Sequence, residues 1–238
     1  MQENGRNLWQ RVISFDNLWH AYKKAARGKR GKTAASSFER DLEENLLELH
    51  SDLKQGRYVP RAYSNFYIHD PKRRLISAAP FRDRVVHHAL TGVIEPFFEK
   101  RFIFDTYANR VGKGTHAALD RCTHYLRRFA YVLPLDVRQF FPAIDHAVLI
   151  TILQKQIKDE RVMDLCSRII HSGQGLLADE YDMLFYPGDD LIAATRPRGL
   201  PKVGYTEKDV ERRVAKHIVL EALPGVPTKR TDGLRRQA

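Results

Sequence analysis

The stretch Tyr131 to His146, YVLPLDVRQFFPAIDH, sets a carboxylate inside an apolar run, and that combination limits the possible folds more than any other segment. Tyr131, Val132, Leu133, Leu135 and Val137 have the composition of a short buried strand, with Asp136 near its end. An unpaired carboxylate is costly to bury. Asp136 must therefore be hydrogen-bonded, open to water or bound to a cation, and a metal site also suits its neighbours. An aromatic, Phe141, follows five residues later. Pro134 has no N–H to give a strand ladder, so the strand begins after it, lies at an edge or bulges there.

The rest of the chain can bury a core around such a strand. It has 238 residues, 43% of them apolar, enough for one large or two modest domains. Lys and Arg number 40 against 29 Asp and Glu, a net charge of +11, which favours a polyanionic partner such as nucleic acid. A merely soluble basic protein is the alternative. Two cysteines without a C-x-x-C pair exclude a disulfide framework and a zinc ribbon. The start, MQENGRNLWQ, lacks the apolar centre of a signal peptide, and no apolar run nears the roughly 18 residues of a membrane span. A cytoplasmic protein with no membrane partner is the expectation.

Helical spacing of Leu8, Val12, Phe15, Leu18, Trp19 and Tyr22 predicts a first amphipathic helix over 8–22. Arg27-Gly28-Lys29-Arg30-Gly31-Lys32 follows, basic and glycine-punctuated, suited to a phosphate backbone or to a solvated linker. Ser36 with Glu39 reads as a capping box for a second helix striped by Phe38, Leu42, Leu46, Leu49 and Leu53, and Gly56 ends it. Two β-rich runs around Asp70-Pro71 predict a hairpin. Alternation puts Lys72 and Arg74 on one face of its second arm, suiting a triphosphate or discouraging edge aggregation. Pro80 opens a third helix, in which His87 and His88 cannot share a face and are assigned to the surface. Asn109 to Thr115 misses the spacing of a P-loop and precedes a fourth helix, whose N-terminus could meet phosphate. Asp145 caps a helix through Ile157, and another runs from about Asp159 to His171, where Gly173 and Gly175 stop it.

Four blocks in order, KRRLISAAPFRDRVVHHAL, FDTYANRVGKGTHAAL, LDVRQFFPAIDH and RPRGLP, resemble a bacterial reverse transcriptase of the group II intron, retron and diversity-generating retroelement kind, the last being preferred. The likeness spans about residues 25 to 201. It implies an α+β chain with right-hand polymerase fingers and a partial palm, helix-rich, with a fingers β-hairpin and an incomplete palm sheet. The divisions would be a helical region with its basic linker at 1–57, fingers at 58–129, partial palm at 130–201 and an atypical tail at 202–238. The implied activity is RNA-directed DNA polymerisation, a magnesium-dependent transfer from a dNTP to a primer 3′-hydroxyl at a two-metal site. Asp136 would be one palm aspartate on Mg2+, helped by the carbonyl of Val137. Phe141 matches the aromatic that selects deoxyribose, and Lys72 and Arg74 match the cations on the incoming triphosphate. Arg27, Lys29, Arg30, Lys32, Arg110 and Lys113 fall to nucleic acid. The partners would be an RNA template, a DNA or RNA primer and dNTPs, with an accessory protein left open.

The likeness stops after Pro201. Family members continue through Ile-Gly-Asn and a Ser-Gln pair into a Tyr-x-Asp-Asp hairpin, whereas this chain reads KVGYTEKDVERRVAKHIVL and onward without either. The expectation is a frameshift or truncation and a chain inactive alone. Gly188-Asp189-Asp190 imitates the absent hairpin, but Asp189 stands nine residues before Arg198 of the RGLP block, the wrong order, and reads as a turn. Two other readings stay open: an RNA-binding fingers module, and a gene remnant with no stable fold.

Overall fold

A computed structural model describes residues 7–29, 31–69, 73–129, 131 and 144–176. The helices are α1 (Leu8–Ile13), α2 (Phe15–Ala26), α3 (Thr33–Arg40), α4 (Leu42–Lys54), α5 (Phe81–Glu99), α6 (Thr115–Leu126), α7 (His146–Gln156) and α8 (Glu160–Ser172). Strands β1 (Ser64–His69) and β2 (Arg73–Ala78) pair antiparallel, with Phe66 opposite Ile76. Helices with one hairpin agree with an α+β class.

α5 is the centre because most of its faces are apolar. Phe81, Val85, Val86, Ala89, Leu90, Val93, Ile94 and Phe98 are buried around it, together with Asp83, His87 and Thr91. A helix apolar on most sides has to be surrounded. α2 lies along it, presenting Leu18, Ala21, Tyr22, Ala25 and Ala26. α8 adds Val162, Leu165, Cys166, Ile169 and Ile170 to the same core. α6 buries none of its residues and stands at the margin.

Four sequence expectations need correction. The helix predicted over 8–22 is two helices, because the Ser14 hydroxyl accepts from the Asn17 N–H at 3.3 Å and caps α2 while α1 stops. Asn17 then holds the break against α5, donating to the carbonyls of Val12 at 3.0 Å and Ala89 at 3.1 Å. The capping box does not form. α3 starts at Thr33, so Ser36 sits inside it, and Glu39 accepts from the Tyr22 hydroxyl at 2.8 Å. The single second helix is itself two, α3 and α4, parted at Asp41, yet Phe38, Leu46, Leu49 and Leu53 of its stripe are buried. Finally, His87 is fully buried and His88 half-buried, not on the surface, since α5 is enclosed.

Candidate nucleic-acid interface

The hairpin's position is fixed at its base. Asp83, at the start of α5, accepts from the Tyr58 hydroxyl at 3.0 Å and the Arg61 N–H at 2.8 Å. Burial first, and then the Asp83 charge, push the Tyr58 phenol far up. Arg168 of α8 donates to the carbonyls of Gly56 at 3.1 Å and Tyr58 at 2.8 Å, and the Tyr63 hydroxyl meets that of Ser172 at 3.3 Å. Residues 56–63 are thus strapped between α5 and α8 before the chain leaves as β1. A two-stranded hairpin is marginal by itself, so this anchorage matters. At its far end Arg73 and Arg74 are exposed, with the Arg73 guanidinium 3.9 Å above the Tyr67 ring. Neither forms an ion pair among the described residues.

The block Asn109 to Thr115 is a tight turn. Asn109, Gly112 and Gly114 take positive φ of 54°, 72° and 110°, which glycine accepts at two of these positions. Arg110 is committed to protein: Nε meets Glu99 Oε2 at 2.7 Å, and Nη1 donates to the carbonyls of Ile103 at 3.2 Å and Thr106 at 3.4 Å. Its side chain is 15% exposed, so it pins the turn to the end of α5. Arg110→Lys, which cannot make this fork, is expected to destabilise the fold by about 1–2 kcal/mol. An unchanged urea midpoint would refute that role.

Lys113 caps the Phe104 carbonyl at 2.9 Å and lies 3.5 Å above the Phe104 ring. Beside it, Asp105 gathers Arg121 Nε at 2.8 Å, the Tyr125 hydroxyl at 2.9 Å and the Tyr107 hydroxyl at 3.0 Å. The hydrogen bond from Arg121 is the main cause holding the Asp105 carboxyl below the usual range. The described residues on either side of Arg30, 27–29 and 31–32, are joined by turn hydrogen bonds. The Lys29 N–H donates to Ala26 O at 2.9 Å and the Lys32 N–H to Lys29 O at 2.9 Å, while Gly28 takes φ +70°. Arg27 and Lys32 are exposed there, and Lys29 is half-buried.

No family model matches the chain. Nuclear intron maturase 2, mitochondrial, of Arabidopsis thaliana is 26% identical over 176 residues, 67% of this chain and 24% of that protein. Nuclear intron maturase 1, mitochondrial, of the same plant is 33% identical over 95 residues, 39% of this chain and 13% of that protein. Group II intron-encoded protein LtrA of Lactococcus lactis subsp. cremoris is 24% identical over 164 residues, 68% of this chain and 27% of that protein. The chain is similar to group II intron-encoded proteins and intron maturases. These matches favour the intron kind over the diversity-generating kind preferred from the motifs. The chain spans about a quarter of the length of maturase 2 and of LtrA.

Of the predicted site residues, the structure describes Arg27, Lys29, Lys32, Arg74, Arg110 and Lys113. Asp136, Val137, Phe141, Lys72 and Arg30 lie outside the described residues, as do Asp189 and Asp190. The described basic residues stand on three separate features: the turn after α2, the hairpin and the turn before α6. Among the described residues no three His, Cys, Asp or Glu gather as a metal-holding group, and no helix is long and apolar enough to cross a membrane. A carboxylate at Asp136 and a carbonyl at Val137 are oxygen donors of the kind magnesium takes. The sequence reading missed Asp105, Arg121 and Tyr125. Their only signal was cations interleaved with aromatics between Phe104 and Tyr125.

Proposed function

We propose that the chain is the fingers and first palm segment of an intron-type reverse transcriptase, and that its described part holds RNA by the phosphate backbone. The observation that carries this reading is the anchored hairpin, which presents Arg73 and Arg74 to solvent without acidic partners among the described residues. The excess of cations and the intron-encoded relatives support it. In the reaction that the motifs imply, a primer 3′-hydroxyl attacks a dNTP. Asp136 and the Val137 carbonyl would hold magnesium, Phe141 would lie against the sugar, and Lys72 with Arg74 would take the triphosphate. Bound magnesium supplies charge neutralisation at the attacking and leaving oxygens. Asp136 is the only palm carboxylate that the motif match assigns in this sequence, so this chain alone should not extend a primer.

Fluorescence anisotropy with a labelled structured RNA tests the reading. Affinity should fall steeply as salt rises, and the double change Arg73→Ala with Arg74→Ala should flatten the salt slope by about 2. Asp136→Ala should leave affinity unchanged. Salt-insensitive or absent binding would sink the RNA reading. Primer extension with magnesium and dNTPs should give no product, and synthesis that disappears in Asp136→Ala would overturn the expected inactivity.

A further inference from the structure

Four basic side chains converge where α2, the turn after it and α5 meet: Lys24, Lys29, Arg84 and His88. The Lys24 ammonium lies against the backbone of α5, since a Cβ built on Gly92 would stand 3.8 Å from its Nζ. Lys24, Lys29 and Arg84 all act electrostatically on the His88 ring, and Arg84 acts on Lys29. No carboxylate balances them: Lys24, Lys29 and Arg84 enter none of the ion pairs among the described residues. The Nε of Arg84 and the Nε2 of His88 are shut off from water without a hydrogen-bond partner there. The Arg84 guanidinium instead stands 5.3 Å from the Phe81 ring.

Lys29 and Arg84 are half-buried and Lys24 is exposed beside them. Cations crowded together without an anion are unfavourable, and one anion would relieve them. The donors present are two ammoniums, a planar guanidinium and an imidazole, which together match the oxygens of a phosphate group. We propose that Lys24, Lys29, Arg84 and His88 form a phosphate site that seats one backbone phosphate of an RNA strand. This rests on the RNA-binding reading above and adds a contact separate from the hairpin. Empty, the site keeps His88 neutral, because burial and then Lys24, Lys29 and Arg84 lower its pKa to about 4. A seated phosphate adds negative charge beside the ring and favours the imidazolium, so the pKa must rise on binding.

NMR titration of the His88 ring, assigned by its loss in His88→Gln, reads this directly. The samples are the full chain alone, with inorganic phosphate, and with a single-stranded RNA oligonucleotide. RNA is expected to raise the His88 midpoint by a unit or more. The double variant Lys24→Gln with Arg84→Gln should abolish the rise and weaken RNA binding about tenfold or more. Because Lys24→Gln thins an unpaired cluster, that single variant should melt no lower than the wild type, which shows that the fold is kept. RNA that binds without moving His88 overturns this site and leaves the RNA reading standing. A midpoint moved by inorganic phosphate and not by RNA overturns the assignment to a strand. A chain that binds no RNA at any salt brings down both.

Discussion

Asp83→Ala is expected to destabilise the fold by about 3–4 kcal/mol, read as a fall in the urea unfolding midpoint. The carboxylate is 1% exposed and serves two strong donors, the Tyr58 hydroxyl and the Arg61 N–H, with Arg82 at 3.5 Å. Each donor stranded in the interior costs about 1–3 kcal/mol. Arg82 would still be held by Asp52 at 2.7 Å, which keeps the loss below the sum of the parts. Asp83→Asn, which retains an acceptor, should lose about half as much. The functional consequence is separable from stability. With the strap at 56–63 released, the hairpin no longer presents Arg73 and Arg74 from a fixed base, and the salt slope of RNA binding should flatten although both arginines remain. A variant as stable as wild type, or one with an unchanged slope, would show that Asp83 does not organise this region.

Asp159→Ala should destabilise the fold by about 2–3 kcal/mol, because one carboxylate caps two helices. Its Oδ1 accepts from the N–H groups of Arg161 at 3.2 Å and Val162 at 3.3 Å, at the start of α8. Its Oδ2 accepts from the Trp9 N–H at 2.8 Å, one of the open donors in the first turn of α1. An N-cap contributes about 1 kcal/mol, and a buried bond to a charged acceptor about 1.5–3. Asp159→Ser separates the two parts: a hydroxyl can cap α8 but cannot also reach Trp9. It should recover the cap alone, about 1 kcal/mol of the loss, in denaturant unfolding followed by tryptophan fluorescence. If the serine variant matches wild type, the link to α1 contributes nothing.

The apolar stripes of the helices were legible in the sequence because burial follows the 3.6-residue period. Phe38, Leu46, Leu49 and Leu53 lie inside as the spacing required. Boundaries were less legible, since they depend on partners far along the chain. Glu39 was assigned to a capping box with Ser36, yet Tyr22 takes it, and Ser14 ends a helix that the hydrophobic spacing alone would continue. His87 and His88 are assigned to the surface because neighbours in sequence cannot share a helix face, and only the packing around α5 shows otherwise. In the candidate interface the motif marked Arg110 without showing that Glu99 occupies its guanidinium. Asp105 stayed hidden because one of its partners, Tyr125, stands 20 residues away. The reverse-transcriptase resemblance of the ordered motifs agrees with the relatives found, which point to the intron kind where the motifs preferred the diversity-generating kind, while Asp136 and Phe141 remain assigned by resemblance.

The contact between Trp9 and Asp159 joins residues 150 apart. α1 gives Leu8, Trp9, Val12 and Ile13 to the core, and α8 is among the helices it packs against. A ribosome adding about 5–20 residues per second needs roughly 8–30 s to travel from one to the other. Throughout that interval α1 has no α8 to dock on. The part of its apolar face that meets α8 stays open to chaperones and to neighbouring nascent chains after α2, α4 and α5 are made, and slower translation between codons 9 and 159 would lengthen the exposure.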